Sequence, residues 1–457
     1  MRKRIFIIGM MAWSVFANGQ GLFESAESET DQSSSGSPLN VELAGYTRGV
    51  LYIGELTTGG KQGVKSSYGE AALKLNASKG DLAEFVSEVR FRDGFEYGER
   101  ISELDLREAY VKSSVGKFDF RFGKQIVAWG KADGFNPTDN ITPINGVVRS
   151  PESDDIRIGN TLFRSFYNFS SKWQLEGIWV PKYRNSAMPF YVLEWPEGSY
   201  VGEDIYPEAT LDKSSYAFRL KYQGAAIDGS ISFFEGYNNL PGMAVSSFQM
   251  NEDYSTEIDI SAIAYKNKII GADFSTAVGS WGLRGEGAYR LIDNKDAENY
   301  YVPMDDLYYV LGLDRTWGDF SFLAQYIGRY VLDFEELVEP DPYTEGPEAV
   351  AEYTMALVNR AYFMQRDEVS HAVSIRPAMN FLYDNLTAEI VASYNFTTEE
   401  YMLRPMISYN IDDGVQVIAG GEYFNGDTGS LHDLIAPIFN GGFISIKYSF
   451  QTCLFNH

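Results

Sequence analysis

Between Val41 and Phe450 the chain is built from segments of roughly 10 to 14 residues that alternate in polarity at every second position, the length and pattern of tilted strands crossing a bilayer. A two-residue period means a strand with one apolar and one polar face. In Ser215–Gln223, Tyr216, Phe218, Leu220 and Tyr222 oppose Arg219 and Lys221. In Trp281–Ile292, Trp281, Leu283, Tyr289 and Leu291 oppose Arg284, Glu286 and Arg290. In Tyr401–Ile411, Tyr401, Leu403, Ile407 and Tyr409 oppose Arg404, Ser408 and Asn410. Phe320–Tyr330 and Leu386–Phe396 behave likewise, whereas Ile156–Phe169 is apolar on both parities and has no clear register. Gly441–Phe450 ends the series, with Ile444, Ile446, Tyr448 and Phe450 on one face. Regular strands also suit a soluble sandwich. Aromatic-ended strands of this length across some 400 residues favour one large closed sheet instead.

Composition narrows the class. The 457 residues hold one cysteine, Cys453, which excludes a disulfide framework and a multi-cysteine metal site. The formal net charge of −25 argues against a nucleic-acid partner. Mean hydropathy is −0.23, low for a helical membrane protein but ordinary for a barrel whose alternate residues face a polar lumen.

The N-terminus reads as a secretory signal. Arg2, Lys3 and Arg4 precede an apolar run from Ile5 to Phe16, then small residues at Ala17-Asn18-Gly19. The expected organisation is a signal peptide at 1–19, a flexible periplasmic leader at 20–40, an outer-membrane barrel at 41–450 and a C-terminal tail at 451–457.

Connections alternate in length. Short turns fall at Ser78-Lys79-Gly80-Asp81, Ser114-Val115-Gly116-Lys117, Ser170-Ser171, Gly224-Ala225, Gly279-Ser280, Trp317-Gly318-Asp319, Tyr383-Asp384-Asn385 and Asp412-Asp413-Gly414. Gly, Asn and Asp supply the positive φ of tight hairpins. Long connections are expected near 56–65, 94–102, 129–155, 183–212, 238–258, 293–303, 332–366 and 426–439. With both termini on one side the count must be even. Reading Ala262–Val278 as one strand gives 18, and 16 remains open. The predicted fold is all-β, a transmembrane antiparallel up-and-down barrel.

Three stretches carry a resemblance: Phe122–Pro137, Gly271–Tyr289 and Tyr423-Phe424-Asn425-Gly426-Asp427. They resemble large Gram-negative outer-membrane porin-like barrels in the style of alginate-export porins. The aromatic end of the last strand, Tyr448 and Phe450, resembles the insertion signal of such barrels, although Gln451–His457 follow it. The resemblance implies an outer-membrane location, with lipid, lipopolysaccharide, the barrel-assembly machinery and small polar solutes as partners. It implies no cofactor and no enzymatic activity. A plugged transporter would need a folded N-terminal domain before the barrel, and residues 20–40 are too few.

The polar parity places charges of both signs toward the lumen. Arg90, Arg92, Arg121, Arg219, Lys221, Arg284, Arg290, Arg376 and Arg404 are basic; Glu84, Glu88, Asp119, Glu286, Glu389 and Glu422 are acidic. One reading is a transverse field that sieves solutes and attracts anions. The other is a salt-bridge ladder that stiffens the interior. The connection 129–155 is the constriction candidate, through Lys131, Asp133, Asp139 and Arg149, if it folds inward; otherwise it caps the mouth. Pro347–Met364 is the one helix expected, packed over the mouth or dipping into the lumen. The acidic run Asp333–Asp341 fits no known cation loop and reads as solvated. Three histidines, His371, His432 and His457, are too few and too scattered for a convincing catalytic constellation.

These features predict a passive channel for small polar or anionic solutes. A barrel specific for an acidic polysaccharide or amphipathic ligand, and a structural or adhesive surface barrel, are the alternatives.

Overall fold

The computed structural model describes residues 39–56, 60–80, 83–187, 198–293 and 300–456. The expected signal peptide and nearly all of the expected leader lie outside these residues.

Eighteen strands form one antiparallel sheet, each pairing with the barrel strands before and after it. The first, Leu39–Glu55, pairs with the last, Gly441–Asn456, and closes the barrel. Closure leaves no strand edge unpaired, which hydrocarbon demands because it offers backbone groups no partner. The two faces divide as the alternation predicts. Leu51, Ile53, Phe91, Leu311, Leu313, Ile444 and Ile446 are exposed on the outer wall, while Arg48, Arg92, Glu286 and Arg329 are buried inside. The protein is a transmembrane antiparallel up-and-down β-barrel.

One end of the barrel carries tight turns, among them 116–117, 279–280, 318–319 and 413–414. Glycine at 116, 279 and 318 takes φ near +60°, as these hairpins require. The other end carries the long connections. Three expectations there need correction. The stretch 94–102 is no long loop: Ala83–Glu96 and Glu99–Val115 meet at Tyr97-Gly98, both at positive φ, in a two-residue turn. Ala262–Val278 is not one strand. The barrel strand is Lys266–Val278, and Thr256–Ile263 pairs instead with Gly242–Met250 and Ser199–Val201 in a separate three-stranded sheet. Nor does the chain hold a single helix. Besides α1 (Gly346–Tyr362) there is α2 (Leu431–Phe439) inside the expected 426–439 loop.

These pieces form an apolar cap over the long-loop end. Met355, Tyr362 and Phe363 in and just after α1 share a buried cluster with Met243 and Ile260 of the small sheet and with Leu431, Ile435, Ile438 and Phe439 of α2. Lys65 binds α2 from the wall: its Nζ donates to the carbonyls of Pro437 (2.8 Å), Ile438 (3.2 Å) and Asn440 (2.8 Å), groups a helix C-terminus leaves unpaired. Asn359 ties α1 to the sheet, donating to Met243 O at 2.7 Å and accepting from Met243 N at 3.0 Å. The helix near 347–364 therefore packs over the mouth.

The closing strand does not stop at Phe450. It runs to Asn456, and Gln451–Asn456 pair with Asn40–Ala44. Phe450 faces Gly45 across the seam, where a Cβ on Gly45 would lie 2.7 Å from the ring. An aromatic ring laid over a cross-strand glycine pins the register. The sequence alone suggests that removing residues 451–457 is harmless; the pairing predicts otherwise. Each lost backbone hydrogen bond costs about 1 kcal/mol. A chain ending at Phe450 should convert from the folded to the unfolded gel band at a clearly lower temperature than the full chain. Phe450→Ala should slow insertion into liposomes while leaving the final fold intact.

Candidate functional site

The barrel strand Phe118–Gln125 is followed by a segment, residues 126–159, that leaves the wall and crosses the lumen before the next strand, Asn160–Asn168, begins. Its course is fixed by ionic contacts to strands around the barrel.

Glu286 makes the first contact. Its carboxylate accepts hydrogen bonds from the backbone N–H groups of Lys131 (2.8 Å), Ala132 (3.1 Å) and Thr138 (2.8 Å), and from Thr138 Oγ1 (2.8 Å). Such close approach requires Gly130, which sits at φ +109°; a Cβ there would lie 2.5 Å from Glu286 Oε2. Gly130→Ala should destabilise the docked segment by about 1–3 kcal/mol, the usual cost of a strained backbone position. Raised open-channel noise in bilayer recordings would report it. Beside Glu286, Arg376 binds Asp133 at 3.1 Å, and Gln325 pairs with the Asp133 backbone through two bonds of 2.8 and 2.7 Å.

Arg149 makes the second contact. It is buried, pairs with Glu422, donates to Phe439 O at 3.1 Å and lies over the rings of Tyr52 and Phe439. Arg404 shares Glu422 at 3.2 Å and donates to Pro151 O at 2.8 Å.

Asp155 is the third. Arg48 approaches it at 2.5 Å and Arg90 at 2.7 Å, Ser150 donates at 2.6 Å, and Arg107 donates to its carbonyl at 3.0 Å. Burial alone would raise the pKa of this carboxyl, but Arg48 and Arg90 hold it well below the usual carboxylate range. Lys447 adds a bond to Glu152 at 2.7 Å.

The crossing segment divides the interior. On its short-turn side lies a vestibule of about 1140 Å³, lined by Lys74, Glu88, Arg90, Glu108, Glu389 and Lys447 among others. On its long-loop side lies a cavity of about 200 Å³, lined by Asn136, Asn239, Tyr265, Arg290, Tyr308, Arg329 and Tyr362 among others. Ser153 and Arg157 line both. Arg157 binds Asp139, on the cavity side, at 2.7 Å, and reaches Asp154, on the vestibule side, at 3.6 Å. Asp139 raises the Arg157 pKa above its ordinary value, so the guanidinium stays charged.

The sequence-predicted residues divide accordingly. Asp133, Glu286, Arg376 and Arg404 hold the segment in place. Arg219 pairs with Asp273 at 2.9 Å, and Arg284 with Asp314. Arg290 and Arg329 share Asp306, which lies 2.6 Å from Arg290 Nε and 3.0 Å from Arg329 Nη1. These residues form the salt-bridge ladder of the second reading. Arg121 differs: among the described residues it forms no ion pair, and its guanidinium lies 5.2 Å from the Phe166 ring. The Lys131 side chain is exposed. Arg149 is a structural group, since both its partner and its aromatic neighbours are buried. Of the histidines, His371 is on the outward parity beside Tyr326, and His432 is buried in α2. His457 is outside the described residues.

Sequence reasoning missed Arg157, Arg48 and Asp155. Arg157 and Asp155 fall at the edge of a stretch apolar on both parities, whose boundary alternation could not place. Arg48 shares the buried inward parity of Leu39–Glu55 with Tyr46, Val50 and Tyr52, so it stands as a lone charge among neighbours that read as apolar, and alternation does not mark it.

The profile of one protein family matches residues 12–397, most of the chain. The chain belongs to that family, described as protein of unknown function (DUF1302). No curated protein sequence matches. Among solved structures, this DUF1302 chain is similar to OccAB1 of Acinetobacter baumannii, at 10% identity and a TM-score of 0.54, covering 91% of this chain and 97% of that one. It is similar to a BenF-like porin from Pseudomonas fluorescens Pf-5, at 10% identity and 0.53, covering 91% and 99%. OpdK of Pseudomonas aeruginosa, solved with vanillate, gives 8% and 0.53, covering 90% and 99%. At such identities the likeness is one of fold, a porin-like barrel.

Proposed function

We propose that the protein is a porin-like outer-membrane channel through which small polar solutes diffuse, with a preference for anions set at Arg157. The observation that carries this reading is the meeting of the two interior cavities at that one guanidinium. Short turns would face the periplasm and the capped end the exterior, as in other outer-membrane barrels. The vestibule carries both signs in near balance, so it imposes little selection. The outer cavity is different: Arg157, Arg290 and Arg329 line it, with Asp139 in the lining and Asp306 behind Arg290 and Arg329, three guanidiniums against two carboxylates. A solute crossing between the cavities passes that excess of positive charge at close range, where screening is weakest.

The outer cavity also favours a compact substrate. It holds a molecule of about ten heavy atoms at ordinary packing densities. Its lining combines tyrosine rings with guanidinium donors, a surface suited to a small planar acid. OpdK with vanillate is one porin-like barrel seen with such a molecule.

Arg157→Gln should leave insertion unchanged and shift the reversal potential in a salt gradient toward cation preference, by on the order of 10 mV or more, because one charge at a constriction acts within a Debye length of every passing ion. An unchanged reversal potential in a correctly folded variant would overturn the assignment of the constriction to Arg157.

A further inference from the structure

We propose that Arg315, packed against Trp281 and Trp317 on the outer wall, is a binding site for the phosphodiester of a phospholipid headgroup. Arg315 lies in the strand Asp306–Trp317, on the parity of Leu307, Leu311 and Leu313, which are exposed on the outer wall. It is therefore a cation on the lipid side of the barrel, not in the lumen. Its inward neighbour Asp314 is engaged by Arg284 and faces the other way. Among the described residues no carboxylate pairs with Arg315. The charges of the same outer face at the opposite end of the wall, Lys268 and Glu235, neutralise each other at 3.6 Å.

A cation facing hydrocarbon without a counter-charge is costly, so such a residue marks a place where charge is met from outside. The flanking rings fix where. The Arg315 guanidinium lies 5.2 Å from the Trp281 ring and 4.8 Å from the Trp317 ring. The indoles meet edge to face at 5.5 Å, and Trp317 stacks on Phe320 at 5.9 Å. Tryptophan concentrates at the headgroup level of a membrane. The turn at 318–319 follows almost at once, so the group sits at the short-turn rim. The guanidinium rests in the corner the two rings form, and its Nε is buried with no hydrogen-bond partner. A planar fork held against two rings offers its N–H groups to a phosphate with less entropy left to lose than a free arginine. The leaflet at that rim, if the short turns face the periplasm as proposed above, consists of phospholipid.

Native mass spectrometry of the full chain released from detergent micelles tests the site. With dioleoylphosphatidylglycerol added, the wild type should retain one lipid through gentle activation, and Arg315→Leu should bind it about tenfold more weakly. Trp317→Leu should weaken binding in the same direction. Dioleoylglycerol, which lacks the phosphate, should not be retained. Equal retention by wild type and R315L, or retention of the headless lipid, overturns the proposal. So does displacement of the lipid by inorganic phosphate at equal concentration, which would mark a general anion site. Bilayer conductance of R315L should match the wild type, and this readout keeps the lipid site separate from the channel reading. A conductance lost in R315L while lipid retention is unchanged would likewise count against the proposal.

Discussion

Glu286→Gln should raise single-channel conductance about twofold or more and turn a steady open level into a noisy one. The carboxylate accepts from Thr138 N and Oγ1 on one oxygen, and from Lys131 N and Ala132 N on the other. A carboxamide keeps one acceptor and turns the other into a donor. An NH₂ group would then face N–H groups. Losing two hydrogen bonds to a charged acceptor costs on the order of 3–6 kcal/mol. The anchors that remain, the Arg376–Asp133 pair and the two Gln325–Asp133 bonds, hold residues 130–138 against the wall far less tightly after that loss. The segment swings away from the strand Trp281–Ile292, and the partition between vestibule and outer cavity opens. Planar-bilayer recordings decide the matter, with gel mobility confirming the folded barrel. A folded variant with wild-type conductance and noise would show that the segment does not limit the current.

The sequence disclosed the wall far better than the interior. Alternation is a local signal, and it placed strands such as Trp281–Ile292 and Phe320–Val331 nearly residue for residue. It also told which side chains face inward. It could not tell which inward charges meet, because the partners of Glu286 lie some 150 positions away in the chain and those of Asp155 some 50 to 110. Where local chemistry was misread, the reason is specific. α2 carries Pro437 inside it, which argues against a helix from composition, yet Ser430 caps it by accepting from Asp433 N, a start signal that was present. Tyr97-Gly98 read as the middle of a loop because the charged strand ends Glu96 and Glu99 hide the alternation. The end of the small sheet, Ala262 and Ile263, reads as the start of a barrel strand because Thr256–Ile263 continues into Lys266–Val278 with only two residues between.

Asp155→Asn should have the second large effect, and its pH dependence separates it from the first. Asp155 is the shared counter-charge of Arg48 and Arg90, and its backbone carbonyl binds Arg107. Asparagine leaves those guanidiniums buried with one carboxylate fewer. Breaking a buried ionic group in this way typically costs about 3–5 kcal/mol, because the orphaned charge keeps its desolvation penalty. Glu70 and Glu88 remain beside them, at 2.9 Å from Arg48 and 2.5 Å from Arg90, so the barrel should still fold. The segment around Ser150–Arg157 should come loose, which would also release Arg157 from its place between the cavities. The variant should therefore lose anion preference together with its low-noise open state. In the wild type the Asp155 carboxyl is depressed far below its unfolded value near 3.9. A depressed pKa contributes stability that is fully present above the unfolded value and is lost only as pH falls toward the folded one. The Asp155 anchor should accordingly hold from pH 7 to about pH 4.5, and the loss of anion preference seen with Asp155→Asn should appear in the wild type only at stronger acid. Opening of the wild type between pH 6 and 5 would mean that a group with an ordinary or raised pKa, not Asp155, governs how the segment is held.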